Sequence, residues 1–305
     1  MLGYLGWRSF YSAMSLVGLI ILVFFMARLT GSPADLYLPI DAPNEMREQF
    51  AKLHGLNDPL IVQFARFLAD AARLDFGQSL RQGRPALALV LEAFPTTLQL
   101  ALFSMTLALA VAIVTGALAA WRPNGAFDRI ASLISLAGAS IPNFWLAIVG
   151  VLVFAVMLRW VPTSGIGSVQ QWVLPVAALF IRPCGLIVQV VRNSMIGALS
   201  SAYVKTARAK GVKSRSIIFV HALRNAMLPV ITVAGDQLAG IINGAVVVET
   251  IFGFPGIGKL MIDSITYRDF AVIQAGVLVT AIAVFALNVA IDLGYALLDP
   301  RIRHA

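Results

Sequence analysis

Cysteine occurs once in 305 residues, at Cys184, so the chain holds neither a second thiol for an internal disulfide nor a thiolate set for a metal cage. Histidine is nearly as scarce. His54, His221 and His304 lie far apart, at no spacing that a zinc site uses, and no metal site is expected. Only 12% of the residues are charged while 59% are hydrophobic, and the mean hydropathy of +0.84 is far above that of a soluble domain; the composition is that of an integral membrane protein. Within the apolar runs there is no Ser-His-acid, paired-carboxylate or metal-ligating set, so no catalytic residue is expected. Nor is there an internal repeat or a midplane cluster of ionisable residues, which counts against an ion-coupled carrier working alone. The net charge of +8 would suit nucleic acid, but the bases sit mostly in loops beside apolar runs, as the inside-positive bias of membrane proteins requires; no nucleic-acid partner is expected.

What is present is a series of apolar runs long enough to cross a bilayer, which takes about 20 residues. They cover residues 9–29, 95–121, 130–158, 172–199, 228–251 and 270–297. Six spans put both termini on one side, expected to be the cytoplasmic side, and make the chain a single transmembrane domain over 1–305. The third run carries Pro142, which removes a helix hydrogen bond and should kink or restart the helix, with Asn143 beside it to satisfy freed backbone groups. Between the first two runs, residues 31–95 read as an external helical insertion. Acids such as Asp41, Glu45, Asp58 and Asp70 alternate with Arg47, Lys52, Arg66 and Arg73, while Phe50, Leu53, Ile61, Phe64, Phe67 and Leu68 recur at helical intervals.

The chain is organised around the basic stretch Ser201 to Pro229. It holds Lys205, Arg208, Lys210, Lys213, Arg215 and Arg224 without a carboxylate, which places it on the cytoplasmic side. Ser201 can cap a short helix and Gly211 stands where such a helix would end in a left-handed residue. Tyr203, Thr206, Ala207 and Lys210 follow helical spacing and share a face. The stretch reads as a docking helix.

These residues also carry a resemblance. The run Tyr203 to Gly211, followed by His221-Ala222-Leu223-Arg224-Asn225-Ala226 and Leu228-Pro229, resembles the EAA loop of ABC-transporter permeases, in the version found in the dipeptide, oligopeptide and nickel branch. Lys205 and Thr206 replace the usual leading Glu-Ala. Further matches are Leu56 to Leu60, Leu74 to Leu80, Glu249 to Gly258, and the ending Asp299-Pro300-Arg301-Ile302-Arg303. The resemblance implies an all-α permease of the type I importer fold, in a bacterial cytoplasmic (inner) membrane, whose loop 200–229 couples to an ATPase through Tyr203, Thr206, Ala207, Lys210 and Gly211. It implies as partners a second homologous permease, two ATP-binding subunits or an ATPase heterodimer, and an extracytoplasmic solute-binding protein, besides membrane lipid. ATP and Mg would be held by those subunits, with no cofactor on this chain. Glu249, Phe252, Pro255 and Gly256 would contribute to an outer gate, and the insertion to the external mouth. The cargo implied is a di- or oligopeptide, with chelated nickel, an opine or a saccharide as the alternatives within the branch. On this reading a bulky residue at position 211, or Ala207→Asp, should abolish transport and leave folding intact.

Residues 253–260 nearly spell the nucleotide-binding pattern GxxxxGK[ST], but Leu260 stands where a hydroxyl must bind magnesium and no strand precedes the run, so it is not read as one. Among the charges inside the spans, Arg182, Arg192 and Asp236 are candidates for an intramembrane role. A lone ion there costs about 3 kcal/mol even on gentle insertion scales. The expectation is that Asp236 pairs with Arg182 or with Arg192; the alternative is that one of them lines the pathway and meets a charged end of the substrate.

Overall fold

The computed structural model describes the backbone of residues 2–29, 31–39 and 41–298, so the Asp299 to Arg303 ending and His304 lie outside the described residues. Among the described residues the chain is helical, with one isolated antiparallel bridge between Gln78 and Pro85. The helices are α1 (Leu2–Leu29), α2 (Ala34–Tyr37), α3 (Asn44–Leu53), α4 (Leu60–Ala71), α5 (Ala86–Trp121), α6 (Ala126–Ser140), α7 (Asn143–Gly150), α8 (Val169–Ser200), α9 (Ala202–Ala209), α10 (Ser214–Ser216), α11 (Leu223–Phe252), α12 (Ile257–Thr266) and α13 (Phe270–Leu298). Wider π-helical turns continue α7 over Val151–Met157 and join α10 to α11 over Ile217–Ala222. By length and composition α5, α8, Ser214–Phe252 and Phe270–Ile291 can each cross a bilayer, and the bent pair α6 and α7 with its π-helical extension makes a fifth span. With its 28 residues α1 is long enough for a sixth.

The spans start where burial begins, not at the prolines that seem to bound them. α5 begins at Ala86 and runs through Pro95, the residue expected to open the second span. Its first turns are held by apolar packing: Ala86, Leu89, Val90 and Ala93 are buried against Phe76, Ile257, Val272 and Ala275. Likewise the helix containing the fifth span is continuous from Ser214, not from Leu228. Ile217, Ile218, Ala222, Ala226 and Val230 make a buried stripe, while Arg215, His221 and Arg224 are exposed on the other side. The basic charges suggest a loop; they are the wet face of an amphipathic helix. The expected loop 200–229 therefore reduces to α9 and a short turn.

The chain forms two compact units, one made of the residues up to Pro95 with Pro255–Phe285, the other of Thr96–Phe254 with the chain from Ala286 on. The first contains the insertion, which is helical as expected in α2, α3 and α4. Phe24 of α1 is fully buried, with Phe64 and Phe67 of α4 at 5.1 and 5.5 Å between ring centroids. Arg28 ends this apolar run, and its charge is covered in two ways. Its guanidinium lies 3.6 Å from the centroid of Phe24, and its Nε donates to Gln63 Oε1 at 3.0 Å. The hairpin after α4 is pinned to the corner between α12 and α13: Ser79 Oγ donates to Asp269 Oδ2 at 2.5 Å, and Arg81 lies 3.9 Å over the Tyr267 ring. Burial raises the pKa of the nearby Tyr37 phenol, and the negative charge of Asp269 raises it further.

The second unit is ordered along α8. Asp128 of α6 meets Arg192, the Ser132 carbonyl meets Gln189, and Gly138 approaches Ile181, so α6 runs antiparallel to α8. After the break the axis bends, but the contacts go on advancing along α8, with Gly150 beside Leu174 and Gly165 beside Gln171. The α6–α7 segment thus travels most of the length of α8; it is a broken span, not a re-entrant loop. Small residues permit the close approach of these helices. A Cβ on Gly185 would collide with the Ser135 carbonyl oxygen and stand 3.0 Å from Ala139 N, and one on Gly116 would stand 2.7 Å from Val191 Cβ. We expect Gly185→Leu to lower the thermal unfolding midpoint in detergent, through overpacking of about 1–3 kcal/mol or more. Gly197→Ala, where a Cβ meets nothing within 4 Å, should leave the midpoint in place or raise it.

Candidate functional site

A short helix is present after Ser201, as expected: α9. Ser201 occupies the N-cap position in extended geometry, but its hydroxyl donates to the Ala198 carbonyl at 2.5 Å, closing α8 instead of capping α9. The other end is built as the sequence suggests. Gly211 has φ +76°, its N–H donates to Arg208 O at 2.9 Å, and Val212 N–H donates to Ala207 O at 3.1 Å, the double closure that a left-handed terminal glycine allows. Val204, fully buried, anchors the helix, and Arg208 lies 5.2 Å from the Trp121 ring centroid. Tyr203, Thr206 and Lys210 project outward and Ala207 is half-buried beneath them. Gly211 itself faces open space: a Cβ at this position would meet nothing within 4 Å. A bulky residue there would strain the left-handed backbone as well as obstruct a partner, so substitution at position 211 cannot separate docking from folding, contrary to the expectation from sequence.

A second feature lies at the break in the third span. The residue before a proline is driven to extended backbone, and Ile141 has ψ 129°; Pro142 cannot donate, and the chain turns through 96° before α7 starts at Asn143. The break opens a cavity of about 420 Å³, within the roughly 300–1,000 Å³ range of small-molecule sites. It is lined by Ser140, Asn143 and Phe144 from the break, Arg182 from α8, and Gly244 and Val247 from α11. Arg182 stands thirteen residues beyond Val169, about 20 Å along a helix of 1.5 Å rise, near the middle of α8.

The three intramembrane charges are not arranged as expected. Arg192 pairs with Asp128: Nε donates to Oδ1 and the second guanidinium nitrogen donates to Oδ2 at 2.7 Å, a bidentate clamp on a carboxylate whose side chain is 3% exposed. Asn124 N–H adds a bond to the same carboxylate at 2.7 Å. Asp236 pairs with neither arginine. It is exposed, its nearest bond is from the adjacent Gln237 amide at 3.1 Å, and the neighbouring Gly235 turns the buried side of α11 toward Ile291 of α13. Arg182, also exposed, makes no hydrogen bond or ion pair to a described residue. Of the four residues for which the resemblance implies an outer gate, Glu249 and Phe252 are buried in the second unit, at 0% and 1% exposure, while Pro255 and Gly256 belong to the first. Glu249 accepts a hydrogen bond from Thr97 Oγ1 at 2.6 Å. Sequence reasoning misses Asp128 and Thr97 as partners; the depth of Arg192 is the one available sign that some acid must come to it. Residues 253–260 follow a helix, with Gly253 left-handed at φ +66° and Gly256 at the N-cap of α12, which is not the strand-loop-helix of a nucleotide site.

Among the described residues no group of three potential metal ligands occurs. A family model for the inner membrane component of binding-protein-dependent transport systems matches residues 112–304. The sequence is 38% identical over 316 residues, covering all of both chains, to the oligopeptide transport system permease protein AppB of Bacillus subtilis (strain 168). It is 37% identical over 286 residues to the glutathione transport system permease protein GsiC of Escherichia coli (strain K12), covering 93% of each. Among solved structures, the inward-facing MetNI methionine ABC transporter superposes with a TM-score of 0.58 at 17% identity, over 69% of this chain and 96% of that one, a likeness of fold. With a family model covering most of its spans and relatives aligned end to end, this chain belongs to the binding-protein-dependent transport system inner membrane components, the permeases of ABC importers.

Proposed function

We propose that this permease forms half of the translocation pathway of an ATP-driven importer of di- and oligopeptides, in a bacterial cytoplasmic membrane with both of its termini in the cytoplasm. The observation that carries the coupling is α9: a short helix fixed by Val204 and closed by Gly211, presenting Tyr203, Thr206 and Lys210 where a separate ATP-binding subunit can seat them. This chain binds no nucleotide, and ATP with Mg belongs to that partner. A second, homologous permease completes the pathway, and a solute-binding protein delivers the cargo at the far side, the first unit with its insertion being the part suited to receive it. Peptide as cargo is supported by the oligopeptide and glutathione transport systems to which the end-to-end relatives belong. Alternation of access is then a population shift, with ATP and the loaded binding protein each favouring one state.

The test is to isolate the complex gently from its native membrane through a tag on this chain. Mass spectrometry should identify a second permease, ATP-binding subunits, and short peptides released from a co-purifying binding protein. A released nickel chelate, opine or saccharide would overturn the peptide assignment and keep the machine. Recovery of this chain alone, transporting in vesicles without ATP, would overturn both.

A further inference from the structure

We propose that Arg182 is the anchor for a carboxylate of the transported peptide, received in the cavity at the broken third span; the proposal rests on the peptide reading above and assigns its binding residue. A guanidinium near the middle of a membrane helix is stable only against a counter-charge or in a wet cavity. Arg192, on the same helix, has found its acid in Asp128. Arg182 has none among the described residues, and the nearest candidate from sequence, Asp236, is directed elsewhere. What Arg182 does face is a cavity of about 420 Å³, large enough for a short peptide.

The lining suits such a ligand beyond the single charge. Asn143, whose Oδ1 is buried without a hydrogen-bond partner, belongs to the same wall, and Arg182 gives the cavity an unused donor fork. A peptide terminus supplies the complement of that fork, a carboxylate for the planar guanidinium. Phe144 and Val247 furnish apolar wall, which accepts varied side chains, and Gly244 keeps α11 from filling the space. The chemistry selects for main chain and tolerates side chain, as a carrier of many different peptides requires.

The experiment compares uptake of trialanine with uptake of trialanine amide by the whole transporter, purified with its partner subunits and binding protein and reconstituted in vesicles. Wild type, Arg182→Gln and Arg182→Lys are measured side by side, so any preference of the binding protein cancels in the ratio. We expect Arg182→Gln to reduce uptake of the free acid about tenfold to a hundredfold, the range for a lost hydrogen bond to a charged group. Uptake of the amide should stay within about twofold of wild type, and Arg182→Lys should fall between. Equal loss for both peptides would mean that Arg182 meets an acid of the neighbouring permease or holds the fold, and no loss for either would mean that it touches no cargo; each overturns the proposal. If wild type moves neither peptide while its ATPase runs, the peptide reading fails and this assignment falls with it.

Discussion

Tyr203→Ala combined with Thr206→Glu is expected to reduce ATP-driven uptake at least about 30-fold while the amount of chain in the membrane and its thermal unfolding midpoint stay as in wild type. Truncating a tyrosine at the centre of an interface removes about 2 kcal/mol or more, and a carboxylate placed beside it must also be desolvated on docking. Neither side chain does much inside its own chain. Tyr203 is 41% exposed, and the Thr206 hydroxyl bonds only back to Ala202 O at 3.1 Å in its own helix. Surface substitutions of this kind change stability by about 0.5 kcal/mol or less. Val204→Asp is the contrasting control: it buries a carboxylate at a fully covered position and should lower both uptake and the unfolding midpoint. Uptake lost in both variants but the midpoint lost in one distinguishes the partner's face from the helix's own anchor. A transporter that works without a docked ATPase would pass through the first substitution unchanged.

The largest effect on stability is expected at the Asp128–Arg192 pair. Asp128→Ala leaves Arg192 partly buried without its counter-charge, and breaking such a pair on one side costs about 3–5 kcal/mol. Replacing both residues, Asp128→Leu with Arg192→Met, should recover most of that loss, because two apolar side chains need no desolvation. Unfolding midpoints in detergent for Asp128→Leu, Arg192→Met and the variant carrying both form the cycle that measures the coupling. If the loss in the double variant equals the sum of the two single losses, the bidentate clamp contributes nothing and α6 is held to α8 by the close glycine packing alone.

The two sites are unequally legible in the sequence, for physical reasons. Helical spans are readable because twenty apolar residues in a row have few other fates, and Gly211 because a left-handed helix end nearly demands glycine. The helix from Ser214 through Asn225 is not, because its basic residues signal a loop in a membrane protein while its apolar stripe signals a helix, and the stripe prevails through packing. Pro95 and Pro142 show how little a proline says alone. One lies inside a continuous α5, steadied by the apolar cluster around Ala86 and Val90, and the other breaks the chain through 96°. The partners of buried charges are out of reach: Asp128 and Arg192 are 64 residues apart, as Thr97 and Glu249 are 152 apart, and no local pattern records which acid meets which base. Depth alone says that Arg192 must find an acid. That Arg182 finds none within the described chain, and that a cavity stands before it, requires the break at Pro142 in three dimensions.

If α9 seats in a separate ATP-binding subunit, the scarcity of cysteine makes the contact simple to trap. Cys184 is the one cysteine and is buried, so Tyr203→Cys places a single accessible thiol on the outward face of α9. Membranes carrying this variant would be treated with a short heterobifunctional thiol-to-amine reagent, and the adducts separated and sequenced by mass spectrometry. One dominant adduct is expected, joining position 203 to an ATP-binding subunit, with a yield that changes when ATP is added and that is lost when the thiol is moved to the buried position 204. Adducts to lipid and unrelated proteins only, at yields indifferent to ATP, would mean that α9 docks on no ATPase and that the coupling assigned to it is wrong.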